Sequence, residues 1–172
     1  MIKYEIIDNA YSAADRESMF GFVKRSSYRI GWHDQHWDDV VGQQRILFSD
    51  FSQEDVDNFG VLERHNSPRI TELINGRKPA RAVINLAEPA NTFMPHTHPD
   101  KDVFLYYCNV RWNTEWAGET IIYSDNDSEA EHAVSYKAGR VLWLPKGIMH
   151  SVRPPSNACP EYRFTFAAMF QA

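Results

Sequence analysis

Apolar positions along the chain fall into two textures. Up to about residue 79 they come at helical spacing or in isolated runs, and from residue 80 onward as short bursts parted by Asn, Asp, Gly and Pro. Residues 2–8 read as a strand. Ser12 then reads as an N-cap, with Asp15 as an acidic first-turn residue. Met19, Phe20 and Val23 give the stripe of an amphipathic helix from Ala13 to about Ser27. Residues 28–50 are aromatic, polar and aperiodic, and predict a long loop or short edge strands, the kind of segment that serves as a lid or binding loop. Ser52 is placed to cap a short helix over 53–59, with Glu54 and Asp55 in its first turn and Gly60 near its end. Ser67-Pro68 starts another, with Pro at the first helical position and Asn75-Gly76 as its C-cap.

Beyond that point Arg81–Leu86, Val103–Cys108, Glu119–Tyr123, Ala133–Tyr136, Arg140–Leu144, His150–Arg153 and Tyr162–Phe170 are strand-like, with turn residues between them. Short strands in this number without intervening helices predict an antiparallel sandwich or jelly roll, mainly β with helices at the N-terminal side. No domain boundary, repeat or low-complexity tract stands out. The expectation is one domain over 1–172, in which 1–79 supplies helical scaffold and lid segments packed on an outer face and 80–172 the β core.

Composition narrows the partners. A length of 172 residues suits one well-buried domain, and an aromatic share of 13% favours a β-rich core. The net charge is −5 with Lys and Arg scattered, so bulk electrostatic binding to nucleic acid or an anionic membrane is not expected. No apolar stretch approaches a membrane span, and the start Met-Ile-Lys-Tyr-Glu lacks a signal-peptide core, which predicts a cytoplasmic protein. Cys108 and Cys159 form no disulfide framework, and Cys108, in an apolar run, reads as a buried thiol.

Candidate chemistry gathers at Pro95-His96-Thr97-His98-Pro99-Asp100, taken with His150 and Arg163 downstream. Imidazole and carboxylate ligands with open coordination positions suit a ferrous site that activates oxygen. On an extended strand His96, His98 and Asp100 share one face, so alternation alone does not choose among them. His150 follows the turn Pro145-Lys146-Gly147, which presents it at a strand start. His33, His36, His65 and His132 read as surface or hydrogen-bonded residues, with His33 and His36 also in reach of a substrate.

Trp112-Asn-Thr-Glu-Trp116-Ala-Gly118-Glu119-Thr120, Ala138-Gly139-Arg140-Val-Leu-Trp143, His150-Ser-Val152 and Arg163-Phe-Thr165 together resemble the Fe(II)/2-oxoglutarate-dependent oxygenases, in their prolyl 4-hydroxylase-like branch. The resemblance covers 80–170; Ile6-Ile-Asp-Asn and the helix after it fit more loosely. It implies a double-stranded β-helix, the distorted, cupin-like jelly roll. It also implies a His-x-Asp/Glu plus distal His triad, carried over as His98, Asp100 and His150. Arg163 would pair with the distal carboxylate of 2-oxoglutarate through its bidentate fork. Thr165 shares its strand face and can donate to the same carboxylate, and Tyr107 matches a position whose phenol does likewise. Fe(II), 2-oxoglutarate and O2 would then hydroxylate a C–H bond of a peptidyl proline or small metabolite, with succinate and CO2 released. The aromatic stretch around Tyr28, Trp32 and Trp37 is the candidate lid, and Trp112 and Trp116 either line its rim or pack.

Two features depart from that pattern. The stretch from His150 to Arg163 is longer than the family norm, with Pro154, Pro155 and Pro160 inside it, and reads as a looped-out insertion. His96 and His98 also fit the His-x-acid slots, giving a three-histidine site; Pro99 suits the turn after a strand and favours this register, whereas the charge of a carboxylate ligand favours His98 with Asp100. A cupin-type metal enzyme or small-molecule binder using His96, His98, Asp102 and His150 without 2-oxoglutarate is the alternative. Gly139-x5-Pro145-x-Gly147-x2-His150 carries that likeness, and Arg163 with Thr165 is what a cupin has no need of.

Overall fold

The computed structural model describes residues 4–32, 46–89, 91, 93–124 and 129–172. Among them, eleven strands build two antiparallel sheets. In chain order they are β1 (Glu5–Ile7), β2 (Arg29–Trp32), β3 (Ile46–Phe51), β4 (Arg81–Ala87), β5 (Phe93–His96), β6 (Lys101–Tyr107), β7 (Thr120–Tyr123), β8 (Ala130–Val134), β9 (Val141–Leu144), β10 (His150–Val152) and β11 (Arg163–Gln171). The larger sheet runs β1-β9-β6-β11-β4-β3-β2 and the smaller β5-β10-β7-β8. Three helices, α1 (Ala13–Arg25), α2 (Gln53–Phe59) and α3 (Pro68–Ile74), lie on the outer face of the larger sheet.

Alternation along β11 explains the two-layered core. Phe164, Phe166, Ala168 and Phe170 face the helices, packing with Met19 and Val23 of α1, Phe59 of α2 and Ile70 of α3. Phe166 meets Phe59 at 5.1 Å between ring centroids, and Tyr106 meets Tyr11 at 4.9 Å. The other face of the sheet sends Val83, Val103, Leu105, Leu142, Ala167 and Met169 toward Ile122 and Val134 of the smaller sheet. Strand β11 is therefore buried on both sides from Arg163 to Phe170. Each buried Phe contributes roughly 2–3 kcal/mol of transfer free energy.

Local signals predict the helices well. Ser12 accepts the Asp15 N–H at 3.1 Å, and Ser52 forms a reciprocal capping box with Asp55. Asn75 ends α3 in the left-handed region at φ 49°, whereas Ser67 makes no side-chain capping bond. The aromatic segment is more structured than its pattern suggests. Strand β3 lies inside the larger sheet, paired with β4 from Leu47 opposite Leu86 to Phe51 opposite Ala82. Its alternation is disguised because Ser49 is buried on the helix side with Leu47 and Phe51, while Asp50 is ion-paired to Arg29 and Arg81. Tyr28, expected in a lid, is a packing residue: its hydroxyl donates to the Val23 carbonyl at 2.7 Å and its ring lies 6.0 Å from Phe164. His33, His36 and Trp37 lie outside the described residues. No helix among the described residues is long and apolar enough to cross a membrane.

The short strand β1 is tied to the sheet by charge. Asp8 accepts from Arg140 Nε at 2.8 Å and Nη2 at 3.0 Å, and from Lys137 Nζ at 3.0 Å. Its hydrogen bonds to Arg140 lead in holding the carboxyl down at about 2, against an ordinary 3.8. A depressed folded-state value means stabilisation that is complete above the ordinary value and lost as pH falls through the lower one. Asp8→Asn should lower stability at neutral pH by about 1 kcal/mol. In thermal melts the gap from the unmodified protein should close as pH falls from about 4 to about 2.

Candidate functional site

Antiparallel pairing of β5 with β10 sets His150 directly opposite His96. His98 follows two residues after His96 in an extended segment, where its carbonyl accepts the Gly147 N–H at 2.9 Å. Rings of His96 and His150 lie 4.4 Å apart, those of His96 and His98 5.2 Å, and those of His98 and His150 5.6 Å. Each offers one ring nitrogen, and these lie within 4.8 Å of one another. Nδ1 of His96 contacts the Met94 carbonyl at 2.9 Å, and Nδ1 of His150 the Ile148 carbonyl at 2.9 Å. A carbonyl only accepts, so both Nδ1 atoms carry the proton and both Nε2 atoms keep a lone pair for a metal. Burial, reinforced by His96, pushes the His150 pKa well below its ordinary value, so it stands neutral as a ligand must be.

Asp100 is not part of this group. Pro99 and Asp100 form the turn before β6, which ends the alternation at His98 and rotates the next side chain outward. Its side chain is 57% exposed and bonds Lys101 Nζ at 3.0 Å, which lowers its pKa. The three-histidine register is the one the fold brings together. Asp102, the extra ligand of the cupin alternative, pairs instead with Arg77 at 2.8 Å and with the Lys146 N–H at 3.0 Å.

Arg163 opens into the cavity that the three histidines line. It is 1% exposed, and among the described residues no carboxylate lies within ion-pair distance of it. Nε donates to the Gly118 carbonyl at 2.8 Å and Nη1 to Thr165 Oγ1 at 2.5 Å, but Nη2 is buried without a hydrogen-bond partner. Burial pulls its pKa down, yet a guanidinium remains protonated at neutral pH. A buried, unpaired cation costs several kcal/mol, so a site that tolerates one fits an incoming anion. Gly118 is required here: its φ is +88°, and a Cβ would stand 3.2 Å from Arg163 Cδ.

Around these groups Phe93, Val103, Leu105, Val152, Ala167 and Met169 form an apolar wall. Asn85 also lines the cavity, opposite Thr165 on β4, with its Oδ1 buried and unpaired. Sequence reasoning passed over it, although a lone amide in the apolar run Arg81–Leu86 was a visible signal. Tyr107 lies under Arg163, its ring centroid 5.4 Å from the guanidinium carbon and its hydroxyl 2.7 Å from Thr120 Oγ1. Trp112 packs: its Nε1 donates to the Ala117 carbonyl at 2.9 Å and its ring lies 4.4 Å from Tyr136 and 5.5 Å from Trp116.

No family profile matches the chain, and no curated protein matches it by sequence. Solved structures do. A prolyl-4-hydroxylase of Pseudomonas putida aligns with a TM-score of 0.73 at 13% identity, over 100% of this chain and 94% of that one. The fold is the double-stranded β-helix of the 2-oxoglutarate oxygenases. HygX of Streptomyces hygroscopicus, solved with nickel and 2-oxoglutarate bound, matches this β-helix with a TM-score of 0.69 at 11% identity, covering 99% and 83%. A Trichoplax adhaerens prolyl hydroxylase, in complex with a peptide of hypoxia inducible factor, gives 0.68 at 12% identity, covering 98% and 83%. Within the β-helix, the donor set and the unpaired Arg163 Nη2 fit a divalent metal beside a carboxylate ligand.

Ligand assignment is open to direct test. His96→Ala, His98→Ala and His150→Ala should each weaken binding of Fe(II), measured anaerobically by equilibrium dialysis, by roughly tenfold or more. Asp100→Ala should leave it unchanged; loss of metal in that variant returns Asp100 to the ligand set.

Proposed function

We propose that the protein is an Fe(II)- and 2-oxoglutarate-dependent dioxygenase that hydroxylates a C–H bond of a peptide or small-molecule substrate, releasing succinate and CO2. The observation that carries this reading is Arg163 Nη2, buried without a partner in the cavity that the three histidines line. His96, His98 and His150 would hold the metal from one side and leave three positions open. Bound iron would supply the activation of O2 coupled to oxidative decarboxylation of 2-oxoglutarate. Arg163 receives the distal carboxylate. Thr165 Oγ1 already accepts from Nη1, so its own proton is left to donate to that carboxylate. The Asn85 amide, opposite Thr165, offers the bound acid a further polar contact. Tyr107 supports the guanidinium from its ring face. Phe93, Val103, Leu105 and Met169 keep water from the reacting centre.

Neighbours in fold have been solved with both kinds of molecule bound, one with a hypoxia inducible factor peptide and HygX with hygromycin B. The all-histidine group favours one second reading, a cupin-type metal enzyme that works without 2-oxoglutarate.

Anaerobic titration of the Fe(II)-loaded protein with 2-oxoglutarate separates the two. A visible charge-transfer band saturating at one equivalent is expected. No band, with or without candidate substrates, supports the cupin reading instead. Arg163→Ala should raise the half-saturating 2-oxoglutarate concentration by roughly a hundredfold while sparing Fe(II) affinity. Unchanged 2-oxoglutarate affinity removes Arg163 from the site.

A further inference from the structure

Arg163 follows a proline-rich excursion, 153–162, that by itself sets no direction for the strand it leads into. The residues on either side of it are held by one buried amide. Asn109, 0% exposed, accepts the Phe164 N–H at 3.0 Å through Oδ1, and through Nδ2 donates to the Tyr162 carbonyl at 2.9 Å and the Glu161 carboxylate at 3.3 Å. Tyr136 completes the grip. Its hydroxyl accepts the Asn109 N–H at 3.2 Å, and its one proton has two acceptors, Asn109 Oδ1 at 2.7 Å and the Phe164 carbonyl at 2.6 Å. The same ring lies 4.7 Å from the Arg163 guanidinium carbon and stacks on Tyr107 at 4.5 Å and 13°.

We propose that Asn109 and Tyr136 are positioning residues for Arg163: they aim its unpaired Nη2 and thereby set the affinity for the dicarboxylate. The inference rests on the reading of Arg163 as the 2-oxoglutarate anchor. Its physical basis is that a bidentate fork rewards a small range of angles, while a fully connected buried network is rigid enough to hold one. Arg163 opens β11 opposite Ala87, directly after the proline-rich loop; without Asn109 and Tyr136 this end of the strand would be looser and the guanidinium would lose part of that preorganisation.

The test is a double-mutant cycle on the Fe(II)-loaded protein, read as anaerobic 2-oxoglutarate affinity, with Fe(II) affinity and melting temperature measured alongside. Tyr136→Phe keeps the ring and removes the hydroxyl. It should weaken 2-oxoglutarate binding about fivefold, the equivalent of one hydrogen bond, with Fe(II) affinity unchanged. In an Arg163→Ala background the same substitution should change 2-oxoglutarate affinity less than about twofold. A purely structural role predicts equal losses in both backgrounds or a parallel loss of Fe(II); either result, or unaltered binding in Tyr136→Phe, overturns the inference and leaves the oxygenase reading standing. If the unmodified protein binds no 2-oxoglutarate, both fall. Should Tyr136→Phe melt below the assay temperature, Asn109→Ser enters the same cycle with the same expectation.

Discussion

A guanidinium buried between two sheets, with no carboxylate among the described residues in ion-pair contact, is the constraint around which this molecule is arranged. Arg163 stands at the first position of the central strand β11, with tyrosine rings beside it and a glycine carbonyl on its Nε. Burying that charge opposes folding, and the fold offsets the cost only in part through Gly118 and Thr165. Nη2 is left for an anion that enters the cavity, on the reading proposed above. A fold that keeps so costly a side chain in its core points to a use for it, and that is what the proposed function rests on.

The histidine half of the site rests on a different device. Pairing of β5 with β10 puts two imidazoles opposite one another, and each Nδ1 lies against a backbone carbonyl. On the proposed reading, three imidazole ligands would leave the full charge of a divalent ion in place, and its affinity for anionic co-ligands would exceed that of a site holding a carboxylate. A metal there and Arg163 would act on the two ends of one dianion.

Much of this was legible in the sequence where the signal is local. Ser52 with Asp55, and Asn75 at the end of α3, announce themselves within a few residues. The strand-like bursts after residue 80 do so too, because alternation and turn residues act over short range. Asp100 lies outside the histidine group because alternation does not carry through Pro99, where the strand has already ended. Strand β3 was hidden by a buried serine and an ion-paired aspartate that break its period. Asn85 shows only as a lone amide in an apolar run, and Asn109 and Tyr136 carry no local mark at all. Their meaning comes from segments far apart in sequence that meet only beside β11.

The far end of β11 has a duty of its own. Its last residues reach the turn after His98, where the Ala172 N–H and the Gln171 amide both donate to the Asp100 carbonyl. One strand thus begins at the anion anchor and finishes by bracing the loop that bears a metal ligand. A disturbance at Gln171 or Ala172 is therefore felt at both ends of the cavity, although neither residue lines it.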